Sequence, residues 1–264
     1  NVYYQLIKLN SPHITMQPHD PIKYVRELKF QDFTDAFPTE RGSGVQLTEG
    51  VEQSFLNAKS LVSFVSDING QRRSDVLNSV LLAQLAANRE FPDESQLIDW
   101  YKKFVNVLTN LGWVIEAAEF SSFESNGTVF EAENAITSIL TAAFGGSFMT
   151  VITKTLDAIK GLSDENGKIT VFEKNTHSLS KGAFQIGLAK EENDTVTLQM
   201  GTFMLTSRNE IKKILFFKST IDKTELNYCS RTGTLNEEIY AKIRTQVQDK
   251  LGGRIADYIT EIDI

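Results

Sequence analysis

Apolar side chains repeat at helical spacing through the first half of the chain and at alternating spacing through much of the second. Val51, Phe55, Ala58, Leu61, Val62 and Val65 recur at three- and four-residue steps, which predicts a helix from Thr48 to about Asn69-Gly70. A second helix is predicted over 74–88, with Val76, Leu77, Val80, Leu81 and Leu85 on one face and Pro92 beyond its end. A third, over 95–110, carries Leu97, Trp100, Tyr101, Phe104, Val107 and Leu108 and stops at Gly112. Residues 1–47 lack such a period. Pro12, Pro18, Pro21 and Pro38, closed by Gly42-Ser43-Gly44, predict an irregular surface arm with one short helix over 25–33.

After Gly112 the pattern changes. Trp113-Val114-Ile115 leads into an expected strand over 117–123, ended by Ser125-Asn126-Gly127, and a long helix follows over 130–160. Strands are predicted over 183–189 and 195–206, joined by the polar turn Lys190-Glu191-Glu192-Asn193-Asp194, and again over 211–220 and 224–229. Thr234 and Glu237 have capping-box spacing for a last helix bearing Leu235, Ile239, Ile243, Val247 and Leu251 and ending at Gly252-Gly253. The expected class is α+β (mixed α/β): a helical N-terminal half and a long central helix packed on a mainly antiparallel sheet from the C-terminal half. With no repeat and no dividing linker, a single domain over 48–264 follows the arm.

Composition narrows the function classes. The 264 residues carry 27 basic and 34 acidic side chains, a net charge of −7 that offers no basic face to nucleic acid. Cys229 is the one cysteine, so no intrachain disulfide forms. His13, His19 and His177 stand in no metal-binding spacing, no cofactor metal is expected, and no nucleophile elbow or phosphate-cradling glycine loop occurs. Asp164-Glu165-Asn166-Gly167-Lys168 lacks the glycine position and closing acid of a calcium loop and reads as a turn. No basic-plus-apolar leader is visible. The two sequons, at Asn126 and Asn193, are no more than chance supplies. A Cys229–His177 thiol enzyme is the remaining catalytic alternative, and non-enzymatic readings stand ahead of it.

Two features invite a binding role. No charged residue lies between Glu133 and Lys154, although Thr137, Ser138, Thr141, Ser147 and Thr150 dilute the hydrophobicity a membrane span needs. Ala143, Phe144, Gly145, Gly146 and Phe148 would give such a helix a smooth patch open to a neighbouring helix or an apolar ligand. Cys229, in Asn227-Tyr228-Cys229-Ser230-Arg231-Thr232-Gly233, is either an inert packed thiol or one activated by Arg231 and the following helix N-terminus. If acylated there, a long chain needs an apolar home, in a bilayer or inside the protein.

Residues 75–88, Asp75-Val76-Leu77-Asn78-Ser79-Val80-Leu81-Leu82-Ala83-Gln84-Leu85-Ala86-Ala87-Asn88, and Trp100-Tyr101-Lys102-Lys103-Phe104 through Leu111-Gly112-Trp113-Val114-Ile115 resemble stretches of the bacterial family around the Erwinia virulence factor Evf. That resemblance implies an α/β fold with an apolar tunnel, palmitate thioester-linked to a cysteine, and a virulence role without catalysis. Only Cys229 can take the lipid here, with 143–148 as the expected tunnel lining. It further implies synthesis in the bacterial cytoplasm, delivery to a host, and a membrane or host factor as partner. A non-covalent apolar-ligand module is the alternative.

Overall fold

In the computed structural model, residues 20–31, 45–125, 127–162 and 167–264 are described. Their strands are β1 (Gln53–Asn57), β2 (Ser60–Phe64), β3 (Trp113–Ile115), β4 (Ser121–Ser122), β5 (Val129–Glu131), β6 (Lys181–Glu192), β7 (Thr195–Ser207), β8 (Lys218–Thr220), β9 (Thr224–Leu235) and β10 (Ile259–Ile262). One sheet runs β10-β1-β2-β6-β7-β9-β3, with β4 also on β9, and β5 pairs with β8 separately. Within that sheet only β2 and β6 are parallel, with Leu61 opposite Ile186. The helices are α1 (Pro21–Glu27), α2 (Gly70–Glu90), α3 (Leu97–Asn110), α4 (Ala132–Phe144), α5 (Gly146–Lys160), α6 (Gly167–Thr176), α7 (Glu237–Leu251) and α8 (Arg254–Tyr258).

Strand alternation divides the interior into two cores. On β7, Val196, Leu198, Met200 and Met204 join α2, α3 and α7 in one core. Phe203 and Leu205 point the other way, into a core with α4, α5 and α6. The mixed, mainly antiparallel α+β architecture expected from the pattern is present. Two of its strands, β1 and β2, come from the N-terminal half.

Those two strands replace the helix predicted after Thr48. With helices on both faces, a strand buries both of its sides and the period-two signal disappears. All five residues of β1 and all five of β2 are buried, Ser54, Asn57, Ser60 and Ser63 among them. Most of these polar groups are paired internally: Ser54 Oγ lies 2.7 Å from both Ser63 Oγ and Thr155 Oγ1, and Asn57 Nδ2 donates to Leu77 O at 2.9 Å, while Asn57 Oδ1 has no partner. The apolar spacing matched a helix only because turn residue Ala58 and inward-facing residues of both strands happened to fall in step. Ala58 makes the turn itself with a left-handed backbone, φ 52°.

Four further boundaries differ from expectation. The first helix runs Pro21–Glu27, four residues earlier in its start than the predicted 25–33; Phe33 lies outside the described residues, as do 1–19 and 32–44 of the expected arm. The long 130–160 helix is broken in two at Gly145, whose φ of 81° no continuous helix allows. Of the predicted 211–220 strand only β8 forms. The last helix is capped by Asn236, whose side chain accepts from Ile239 N at 3.2 Å, while Thr234 remains in β9 opposite Val114.

Gly182 is fixed by close approach. A Cβ there would meet Ile214 Cδ1 inside van der Waals contact, His177 Cβ at 2.7 Å and the Thr176 carbonyl at 3.1 Å. Gly182→Ala is therefore expected to cost about 1–3 kcal/mol of stability through overpacking, read as a lower urea midpoint with an unchanged slope.

Candidate functional site

Cys229 sits in β9 directly opposite Thr202 of β7. Alternation along β9 sends Leu226 into the α4–α6 core and Leu235 into the α2/α3/α7 core, so odd-numbered Cys229 and Arg231 share the latter face. The thiol is 1% exposed. Arg231 Nε donates to Cys229 Sγ at 3.3 Å. The guanidinium carbon lies 5.3 Å from the centre of the Tyr101 ring, which α3 places over the same spot. Burial, with the Cys229 sulfur beside it, pushes the Tyr101 phenol up to about 12, so it stays protonated as a donor.

A segment outside the sheet is tied to this thiol through Arg231. Residues 116–120, between β3 and β4, leave the sheet and are held by Arg231, which donates to Ala118 O at 2.6 Å and Glu116 O at 3.4 Å. Phe120 packs edge-on against Tyr101 with centroids 5.1 Å apart, and Glu116 N donates to Thr232 O at 3.0 Å. The predicted 117–123 strand is this segment plus the two residues of β4. Its arrangement follows from Arg231: one side chain reaches the sulfur and two carbonyls of the segment.

The other expected partners lie elsewhere. The helix N-terminus begins only after Asn236, about 23 Å along extended chain from Cys229, beyond the first-turn reach of its dipole. Both ring nitrogens of His177 are occupied, Nε2 by Glu173 Oε2 at 2.7 Å and Nδ1 by Ser178 O at 3.0 Å, so they form no thiol–imidazole pair. Residues 143–148 sit at the corner between α4 and α5, on the opposite face of the sheet. Phe148 is buried and packs on Phe144 at 4.8 Å, whereas Ala143 and Gly146 are exposed. A Cβ on Gly145 or Gly146 would touch nothing within 4 Å, so no other surface approaches the backbone there. Sequence reasoning singled out Arg231 but missed Tyr101 and Phe120 as its companions. The i, i+2 spacing of Cys229 and Arg231 was the available signal.

Among the described residues no His, Cys, Asp or Glu group of three could hold a metal ion, and no helix is long and apolar enough to cross a membrane.

The class the fold defines is an α+β sheet with helical layers on both faces. No protein family and no curated protein matches the sequence. Solved structures do show similarity. A delta-endotoxin is 12% identical, covering 75% of this chain and 89% of its own, with a TM-score of 0.40. The activated Cyt2Ba monomer from Bacillus thuringiensis subsp. israelensis is 14% identical over 68% of this chain and 97% of that one, with a TM-score of 0.38. The Evf virulence factor is 14% identical over 90% of this chain and 89% of that one, with a TM-score of 0.37.

Proposed function

We propose that this protein is a non-enzymatic bacterial virulence or host-interaction factor that carries a fatty acyl thioester of the palmitoyl class on Cys229. The observation that carries this reading is the buried thiol, held by Arg231, whose guanidinium lies over the Tyr101 ring and also holds the 116–120 segment. The two sequence segments that resemble the Evf family support it. Lifting 116–120 exposes the sulfur to a thioester donor. The sulfur then attacks the acyl carbonyl, its S–C bond forms as the donor's breaks, and the thiol proton passes to the departing donor thiolate.

The core beside the sulfur offers the chain little room. The gap bounded by Lys59, Trp100, Gln185, Thr202 and Met204 is too narrow to admit even a water molecule. The chain therefore leaves past the 116–120 segment toward a membrane or a host protein rather than lying in an interior tunnel. One acyl chain binds a bilayer only marginally, so delivery to a host membrane needs a second contact.

Intact mass of the protein from its native host, with and without hydroxylamine, tests this. The expected result is an excess of one fatty acyl group that hydroxylamine removes and that Cys229→Ser lacks. A bare polypeptide mass overturns it. Lipid retained by Cys229→Ser overturns the thioester and favours a non-covalent apolar ligand.

A further inference from the structure

A small polar cavity lies where α6 gives way to β6, beside the turn between β1 and β2, and it is independent of the thiol. It measures about 40 Å³, and its lining includes Lys59, Glu94, Leu97, Lys174, Lys181 and Ala183. That is room for about three waters, or for a group of three heavy atoms. Glu94 already takes a hydrogen bond from the Ser178 hydroxyl. Leu97 and Ala183 supply the apolar contacts of the cavity, while Lys174, exposed, and Lys181, half-buried, supply further cations.

The backbone of Lys59 is fixed on both sides. Its N–H donates to Gln84 Oε1 at 2.9 Å and its carbonyl accepts from Gln185 N at 3.0 Å. The ammonium lies 4.9 Å from the centre of the Trp100 ring, which an Nε1–H bond to Asn88 Oδ1 at 2.7 Å holds in place. Among the described residues no carboxylate lies within ion-pair distance of it, and Glu94 acts on it from farther away. Burial pushes this amine down from 10.5 to about 8, so about a tenth of it is unprotonated at pH 7, against roughly one part in three thousand for an ordinary lysine. The unprotonated amine is a nucleophile, and the protonated one is a desolvated cation without a counterion. Conversion to a neutral amide removes that charge and its cost.

We propose that Lys59 is an N-acetylation site that takes its acetyl group from an acyl phosphate. The three heavy atoms of an acetyl group match the cavity, with the methyl against Leu97 and Ala183. Lys174 and Lys181 attract the phosphate of the donor. In the reaction the Nζ lone pair attacks the acyl carbon and the N–C bond forms. The bond from that carbon to the phosphate oxygen breaks, and phosphate departs with its electron pair and takes the surplus nitrogen proton. A longer acyl group would have to displace Leu97 or Ala183, so the cavity selects the short chain.

The test incubates the full folded chain with acetyl phosphate at pH 7 and follows the acetylation rate of each lysine by peptide mass spectrometry. Lys59 is expected to react at least about tenfold faster than Lys102, whose side chain is 72% exposed. In urea the two are expected to react alike, because the preference comes from the fold. With hexanoyl phosphate the native preference is expected to fall about tenfold, the scale of overpacking. Lys181→Met is expected to slow acetylation of Lys59 by acetyl phosphate about threefold and to leave its reaction with acetic anhydride, an uncharged donor, unchanged. Equal native rates at Lys59 and Lys102, or a preference that survives in urea, would overturn the site. An undiminished preference with hexanoyl phosphate overturns the selection for acetyl, and an unchanged rate in Lys181→Met overturns the acyl phosphate as donor.

Discussion

Replacing Arg73 with methionine is expected to lower the free energy of unfolding by about 3–5 kcal/mol. Arg73 is entirely buried, yet every arm of its guanidinium is used. Nε donates to Ile68 O at 2.8 Å, one terminal nitrogen to Gln53 Oε1 at 2.7 Å, and the other to the carbonyls of Val51, Val65 and Ser66 at 2.7, 3.1 and 3.2 Å. The side chain thus ties the first turn of α2 to β1 and to the loop leaving β2. Methionine fills much of the volume but strands the buried Ile68 carbonyl and loses bonds to three part-buried carbonyls, and that desolvation is the larger part of the loss. Arg73→Lys restores a charge without the planar fork and is expected to recover only a minor share. Urea unfolding of the three proteins decides it. A loss below about 1 kcal/mol for Arg73→Met would mean that water satisfies these carbonyls.

Arg73 also shows what the sequence could and could not reveal. The helix that holds it was legible, because α2 is long and its Val76, Leu77, Val80, Leu81 and Leu85 keep one face. The hairpin it clamps was not. Val51 through Val65 mimics a helical period because β1 and β2 are buried on both sides, and no local cue in Ala58-Lys59 marks the turn. Hairpin β6–β7 could be read because its turn residues Asn193 and Asp194 both adopt left-handed backbone, φ 52° and 58°, which such residues tolerate. At the thiol, alternation alone puts Arg231 on the same face as Cys229. Tyr101 reaches them from a distant helix, and residue spacing along the chain carries no trace of that.

Lys59→Met is expected to be more stable than the wild type at pH 7, with the advantage shrinking as pH rises toward 10.5. Burial pushes the Lys59 amine down from its ordinary 10.5 to about 8, with Glu94 opposing more weakly. A base depressed in the folded state gives its full contribution above its unfolded value and loses it as pH falls through the folded one. The wild type should therefore gain about 2–3 kcal/mol between pH 8 and 10.5 from this group alone. Methionine does not titrate, so subtracting its pH–stability curve from the wild-type curve isolates the effect and cancels all other lysines and tyrosines. At neutral pH the variant also loses the ammonium–Trp100 attraction, about 1–2 kcal/mol, which offsets part of its gain. A flat difference curve would show that the amine is solvated.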